Sequence, residues 1–149
     1  MSAAPLLRVV PFDDLAALGE IVEGGFDDWG QPVVIDEATL AAFARITGTS
    51  TDGRHIPGAM LQAYLPKFDP PRSWAIGGHA GAINLGSPAT RYPAPAEIGA
   101  SLRARCRLAS AKASPKGTLV TLEFQVRADG AAADCLTAFV ELLYMGGRA

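Results

Sequence analysis

SLRARCRLASAKASPKGTLVTLEFQVRADGAAADCLTAFVELLYM, residues 101–145, alternates apolar and polar side chains in three successive runs. Leu102, Ala104, Cys106 and Leu108 point one way while Arg103, Arg105 and Arg107 point the other, the two-residue period of a half-buried strand. Val120, Leu122, Phe124 and Val126 repeat the pattern, with Thr121, Glu123, Gln125 and Arg127 outward. Leu136, Ala138, Val140, Leu142 and Tyr144 repeat it again. The connections SAKASPKG and ADGAAAD suit hairpin loops, so the three runs predict an antiparallel meander with one apolar face needing cover.

The cover is found upstream. PGAMLQAYLPKF (57–68) lacks β-branched residues and carries Met60, Leu61, Ala63, Tyr64 and Leu65 around most of its circumference, which predicts a buried helix ended by Pro66 and Pro70-Pro71. WAIGGHAGAIN (74–84) reads as one further Gly-rich strand. Nearer the N-terminus, PFDDLAALG (11–19) predicts a short helix capped by Asp13 or Asp14 and stopped at Gly19. IDEATLAAFARITG predicts a stronger one, with Asp36 as N-cap, Glu37 in the first turn and Gly48 at C′. Leu40, Phe43 and Thr47, with Ile46 beside them, form its apolar stripe. TSTDGR (49–54) is a loop. The expected architecture is α+β, one domain over 1–149 with a tail at 1–9, in which an antiparallel sheet wraps a central helix.

Composition agrees with one packed unit. The chain has 149 residues, 49% hydrophobic and 19% charged, with 13 Lys+Arg against 15 Asp+Glu. A formal charge of −2 leaves no basic surplus for a polyanion, and no aromatic-basic interleaving points to nucleic acid. Cys106 and Cys135 are too few for a disulfide framework and lack metal-ligand spacing, so they are expected to be small buried hydrophobes. Pro5 and Pro11 break the first apolar run, which makes a poor signal peptide, and no run approaches the ~18 residues of a membrane span. From these absences the protein is expected to be soluble and cytoplasmic, without membrane or nucleic-acid partners.

Ala82-Ile83-Asn84-Leu85-Gly86, Arg91-Tyr92-Pro93-Ala94-Pro95 and Ile98-Gly99-Ala100-Ser101-Leu102-Arg103-Ala104 together resemble the pattern Asn-Tyr-Gly, Arg-Phe-Pro-x-Pro-Val, Gly-(Ser/Asp)-x-(Leu/Val)-Arg of the MaoC-like hydratase/dehydratase family. That family has the hotdog fold and includes the (R)-specific enoyl-CoA hydratases and the NodN-like branch. Phe43-Ala44, Thr47-Gly48, Gly58-Ala59-Met60 and Leu65-Pro66-Lys67 add to the likeness, which runs from about Val10 to Tyr144. The resemblance implies a hotdog domain acting on acyl thioesters, carried on CoA or an acyl-carrier protein, by reversible addition of water to a 2-enoyl double bond without cofactor or metal. It also implies a homodimer, or a heterodimer with another hotdog subunit, because such domains join their sheets edge to edge.

The family performs this chemistry with an Asp and a His spaced Gly-Asp-x-x-x-x-His after the first helix. Here the loop reads Gly48-Thr49-Ser50-Thr51-Asp52-Gly53-Arg54-His55. Counted from Gly48, Thr49 takes the Asp place and Arg54 the His place; counted back from His55, Ser50 takes the Asp place. The sequence then runs directly into Pro57-Gly58, so the family's catalytic loop is degenerate and shortened. The expectation is therefore an acyl-thioester-binding protein with a lost or rebuilt catalytic dyad, serving as a non-catalytic subunit or as an altered enzyme. The alternative is an active hydratase, or a polyketide-tailoring lyase or isomerase, that uses Asp52, His55 or His79.

Each candidate has a plainer role beside the chemical one. Asp52 and His55 form a new dyad, or a capping Asp with a solvated His. His79 faces a pocket, or is an ordinary strand residue. Arg103 and Arg105, with Arg107, meet CoA phosphates or an acidic carrier, or form a solvated face paired to Glu123. Arg91 binds ligand or braces the Pro-rich turn, and Asn84 offers its amide to a thioester or to backbone at a strand end.

Overall fold

Burial follows the alternation of residues 102–108 and 120–126, but in the third run only as far as Ala138, beyond which Val140, Leu142 and Tyr144 are half-buried and Leu143, expected outward, is buried. In the computed structural model, which describes residues 6–147, Leu102, Ala104, Cys106 and Leu108 are all fully buried. They lie on the longest strand of a meander formed by β5 (Leu102–Ser114), β6 (Gly117–Ala128) and β7 (Leu136–Met145), antiparallel throughout. The β5–β6 register slips between Leu108 and Ser110, so Ala109 is the extra residue of a bulge. That slip returns Ala111, opposite Val120, to the buried face. Gly117 closes the hairpin at φ 152°, and a Cβ there would stand 2.0 Å from the Tyr144 carbonyl oxygen. No other residue fits.

The expected central helix covers this face in two pieces, α3 (Gly58–Ala63) and α4 (Leu65–Phe68). Pro66 has no N–H to give the Gln62 carbonyl, so the ladder is interrupted there and resumes when Lys67 and Phe68 both donate to the Tyr64 carbonyl (2.8 and 3.1 Å). Met60, Leu61, Leu65 and Phe68 pack on Leu102, Ala104, Val126, Leu136 and Ala138. A second cluster joins Val10, Leu18, Ile21 and Trp74 to Cys106, Leu108, Val120 and Leu122 at the other end of the sheet.

Four further expectations need correction. α1 (Leu15–Gly24), capped by Asp14, runs through Gly19 and stops only before Gly25 at φ 70°. A mid-helix glycine costs about 1 kcal/mol, less than burial of Ile21 one half-turn later returns. α2 (Glu37–Thr47) has its Asp36 cap and Gly48 at φ 73°, but Ile46 is 78% exposed. At 100° per residue it lies well off the Leu40–Phe43 face. Thr47 is exposed too, its hydroxyl 2.8 Å from the Phe43 carbonyl. Residues 74–84 form two strands instead of one, because Gly78 turns the chain at φ 73°. β2 (Trp74–Gly77) pairs in parallel with β1 (Arg8–Pro11), whereas β3 (Gly81–Gly86) pairs antiparallel with β7. Finally, β1 takes up the end of the expected tail, of which residues 1–5 lie outside the described residues.

The main sheet has the order β3-β7-β6-β5, and β4 (Thr90–Arg91) continues along β7 beyond β3. Its two borders differ. Residues 27–33 run along β5, where Asp27, Gly30 and Val33 donate to the Cys106, Ala104 and Leu102 carbonyls. Among the described residues the β3 border is open, with Ile83 47% and Leu85 54% exposed. No helix among the described residues is long and apolar enough to cross a membrane.

Met60 plugs the wrapped sheet at 0% exposure. Met60→Ala is expected to cost about 2–5 kcal/mol in urea unfolding, and Ile46→Ala less than about 0.5. Equal costs would mean that the helix does not fill the sheet.

Candidate functional site

The loop leaving α2 is organised by one carboxylate. Asp52 Oδ1 accepts from the backbone N–H groups of Arg54 (2.8 Å) and His55 (2.7 Å), the geometry of an Asx turn. Its Oδ2 meets His55 Nδ1 at 2.6 Å. The hydrogen bond from the His55 side chain, with those two backbone donors behind it, holds the Asp52 carboxyl well below the usual carboxylate range. An ionised carboxylate only accepts, so Nδ1 carries a proton toward Asp52, and Nε2 faces outward as the nitrogen that can gain or give one.

Backbone pairing fixes the imidazole from the other side. His55 and Glu97 form an isolated antiparallel bridge, with Ile56 N–H to the Ala96 carbonyl at 2.8 Å and Ile98 N–H to the Arg54 carbonyl at 2.9 Å. Buried Ile56 anchors the loop in the core. Arg54 donates through Nε and Nη2 to Glu97 Oε1 (3.0 and 2.7 Å). Glu97 Oε1 lies 3.8 Å from His55 Nε2. Asp52, His55, Ser50, Thr51, Ile56 and Pro57 line a pocket of about 350 Å³ at the start of the central helix. It is open to solvent, with the His55 and Asp52 side chains 40% and 57% exposed. Of the residues in the family's carboxylate place, Ser50 lines this pocket and Thr49 lies with its hydroxyl 2.8 Å from that of Thr47.

A larger cavity, about 460 Å³, lies between the helix and the concave face of the sheet. Leu65, Leu122, Phe124, Val140 and Leu142 form apolar walls, and Gln62, Asn84 and Arg72 are among its polar groups. Asn84 also accepts from Gly86 N–H at 2.8 Å, so its amide serves the strand end as well as the cavity.

The other candidates sit elsewhere. His79 occupies the β2–β3 turn with its ring edge-on to Tyr144 at 4.8 Å, and its buried Nδ1 has no partner among the described residues. Tyr144 is about 20 Å along β7 from Ala138, which packs in the same cluster as Ile56, so His79 is not brought to the pair. Arg91 is exposed on β4 opposite Thr137. Arg103 donates to Asp129 (2.9 Å) and to the Gly30 carbonyl (3.1 Å). Arg105 donates to Gln125 (2.7 Å) and stacks on Phe26 and Trp29 at 4.4 and 4.7 Å. Arg107 pairs with Glu123 across the strands. The arginine row thus clasps the segment that borders β5, each guanidinium already engaged. Both cysteines are buried, which pushes Cys106 up to about 12 and Cys135 up to about 11 and leaves them as inert thiols.

Periodicity and spacing do not reveal Glu97, Phe26 or Trp29 as neighbours of these residues. Glu97 does carry one local signal, an acid set between the family-like Pro95 and Ile98, but its partner depends on a distant backbone bridge.

Because the Asp52 carboxyl is depressed, the contribution of its bonds is complete above the ordinary carboxylate value and lost only as pH falls through the lowered one. Carbon-13 titration should therefore show Asp52 protonating well below the usual carboxylate range, and Asp52→Asn should speed amide exchange at Arg54 and His55. An ordinary midpoint would show that the turn does not persist in solution.

The sequence matches no family model and no curated protein. Solved structures match along most of the chain. The ChsH1-ChsH2 complex of Mycobacterium tuberculosis aligns with TM-score 0.71 at 12% identity, over 88% of this chain and 95% of that one. The truncated HadBC (3R-hydroxyacyl-ACP dehydratase) complex of the same organism gives 0.55 at 16%, over 78% and 90%. The MaoC-like dehydratase of Rhodospirillum rubrum gives 0.53 at 14%, over 81% and 91%. With its sheet wrapped round a central helix, this chain has the fold of the MaoC-like hotdog proteins.

Proposed function

We propose that the chain binds acyl thioesters, on CoA or an acyl-carrier protein, and interconverts 2-enoyl and 3-hydroxyacyl groups with a rebuilt Asp52–His55 dyad. The observation that carries this reading is the 2.6 Å contact between the two side chains in a pocket at the start of the central helix. Hydration requires a base for the proton of water, an acid for the α-carbon and an imidazole held in one orientation. Asp52 supplies the holding. The apolar 460 Å³ cavity along the same helix offers room for an acyl chain. HadBC, of similar fold, is named as a 3R-hydroxyacyl-ACP dehydratase, and the family resemblance of residues 82–104 points to the same chemistry.

One observation favours a second reading, a subunit that binds without turnover. No carboxylate stands at Thr49 or Ser50, and the dyad lies in an open pocket rather than a closed tunnel. Under either reading the chain works as one of two joined hotdog subunits, identical or different. The bare β3 border supports this, as do the ChsH1-ChsH2 and HadBC complexes.

The purified protein is expected to consume crotonyl-CoA or a longer 2-enoyl-CoA, followed by loss of conjugated-thioester absorbance, and His55→Ala should lower kcat by about 10²–10⁴-fold. Acyl-CoA binding with silence at every chain length would select the second reading, and absence of binding would reject both. In sedimentation velocity the protein should run as a dimer, and lysines placed together at Ile83 and Leu85 should give a species near the 15.5 kDa of one chain. A wild-type monomer would remove the edge-joined arrangement.

A further inference from the structure

His55 has a carboxylate on each side, and only one of them is free to exchange protons. Both oxygens of Asp52 are occupied, Oδ1 by the Arg54 and His55 amides and Oδ2 by Nδ1. Asp52 can orient the imidazole but is a poor base for water. Glu97 stands at the opposite edge, with Oε1 3.8 Å from Nε2. Its position is built in rather than incidental. The backbone bridge pairs residues 55 and 97, and Arg54 fixes the carboxylate through two bonds to Oε1, while no described residue donates to Oε2.

We infer that Glu97 is the second proton-handling carboxylate of this site, a role that rests on the acyl-thioester reading above. Glu97 takes a proton from water as the water oxygen bonds to the β-carbon. The electron pair of the double bond moves to the α-carbon and onto the thioester oxygen. The His55 imidazolium then delivers its Nε2 proton to the α-carbon. Protonated Glu97 returns its proton to Nε2, restoring both groups, so water is added with no further reactant. Arg54 is a positioning residue that keeps Glu97 beside the imidazole. The chain thereby supplies, from a segment distant in the sequence, the carboxylate missing at Thr49 and Ser50.

The test uses the full chain and the enoyl-CoA that the wild type turns over. Glu97→Gln should lower kcat about 100-fold while KM stays within about twofold. Formate should restore part of the activity of Glu97→Ala, which a merely structural glutamate would not allow, and should not restore His55→Ala. Nitrogen-15 spectra of the imidazole provide a readout besides turnover. Glu97→Gln should move the Nε2 resonance and leave Nδ1 in place, whereas Asp52→Asn should move Nδ1. A Glu97→Gln protein with wild-type kcat, or an unmoved Nε2 resonance, overturns the role of Glu97 and leaves the acyl-thioester reading standing. A wild type that binds enoyl thioesters but is silent on all of them overturns the hydration reaction, and the role assigned to Glu97 with it, whereas a wild type that binds none overturns the acyl-thioester reading itself.

Discussion

The concave apolar face of the meander cannot be left in water, and everything near the candidate site follows from how it is covered. Leu102, Ala104, Val126, Leu136 and Ala138 are each fully buried beneath Met60 and Leu61. At roughly 25 cal/mol per Å² of apolar surface, that contact far outweighs any single polar interaction in the loop before it. The helix must therefore start where it does, and the short segment after Gly48 has to deliver the chain to Pro57. Asp52 and Ile56 are the two fasteners that make this crossing rigid, one by hydrogen bonds to the backbone and one by burial.

That economy explains how a shortened loop presents ordered side chains. His55 is held by Asp52 through Nδ1 and by the strand-like bridge to Glu97, so its ring direction is set by backbone geometry on both sides. Loops that carry chemistry usually borrow rigidity from a scaffold. Here the scaffold is the Pro95–Ile98 segment, itself joined to the helix–loop unit by two backbone hydrogen bonds.

Legibility in the sequence tracked the range of the interactions. The three strands of the meander, the Asp36 cap and the Gly48 terminator depend on residues a few places apart, and the pattern of residues displays them. Asp52 with His55 is equally local. Gly19, Ile46 and Gly78 misled because local propensity was overruled or redirected by packing: Ile21 pulls α1 onward, the core takes Leu40 and leaves Ile46 outside, and Gly78 sends one apolar run into two sheets. The pairing of Glu97 with His55, and the stacking of Arg105 on Phe26 and Trp29, join segments far apart in the chain. No periodicity encodes them. The resemblance in residues 82–104 conveyed the fold well, and it was silent on the neighbour of the imidazole for the same reason.

The stacked arginines beside β5 have a consequence for assembly. By stacking on Phe26 and Trp29, Arg105 helps strap residues 27–33 along one margin of the sheet, where the Asp27, Gly30 and Val33 amides fill a row of backbone acceptors that would otherwise invite another chain. In the main sheet, among the described residues, strand addition is then left to the β3 margin. An assembly joined through that margin alone would close as a pair rather than extend as a ribbon.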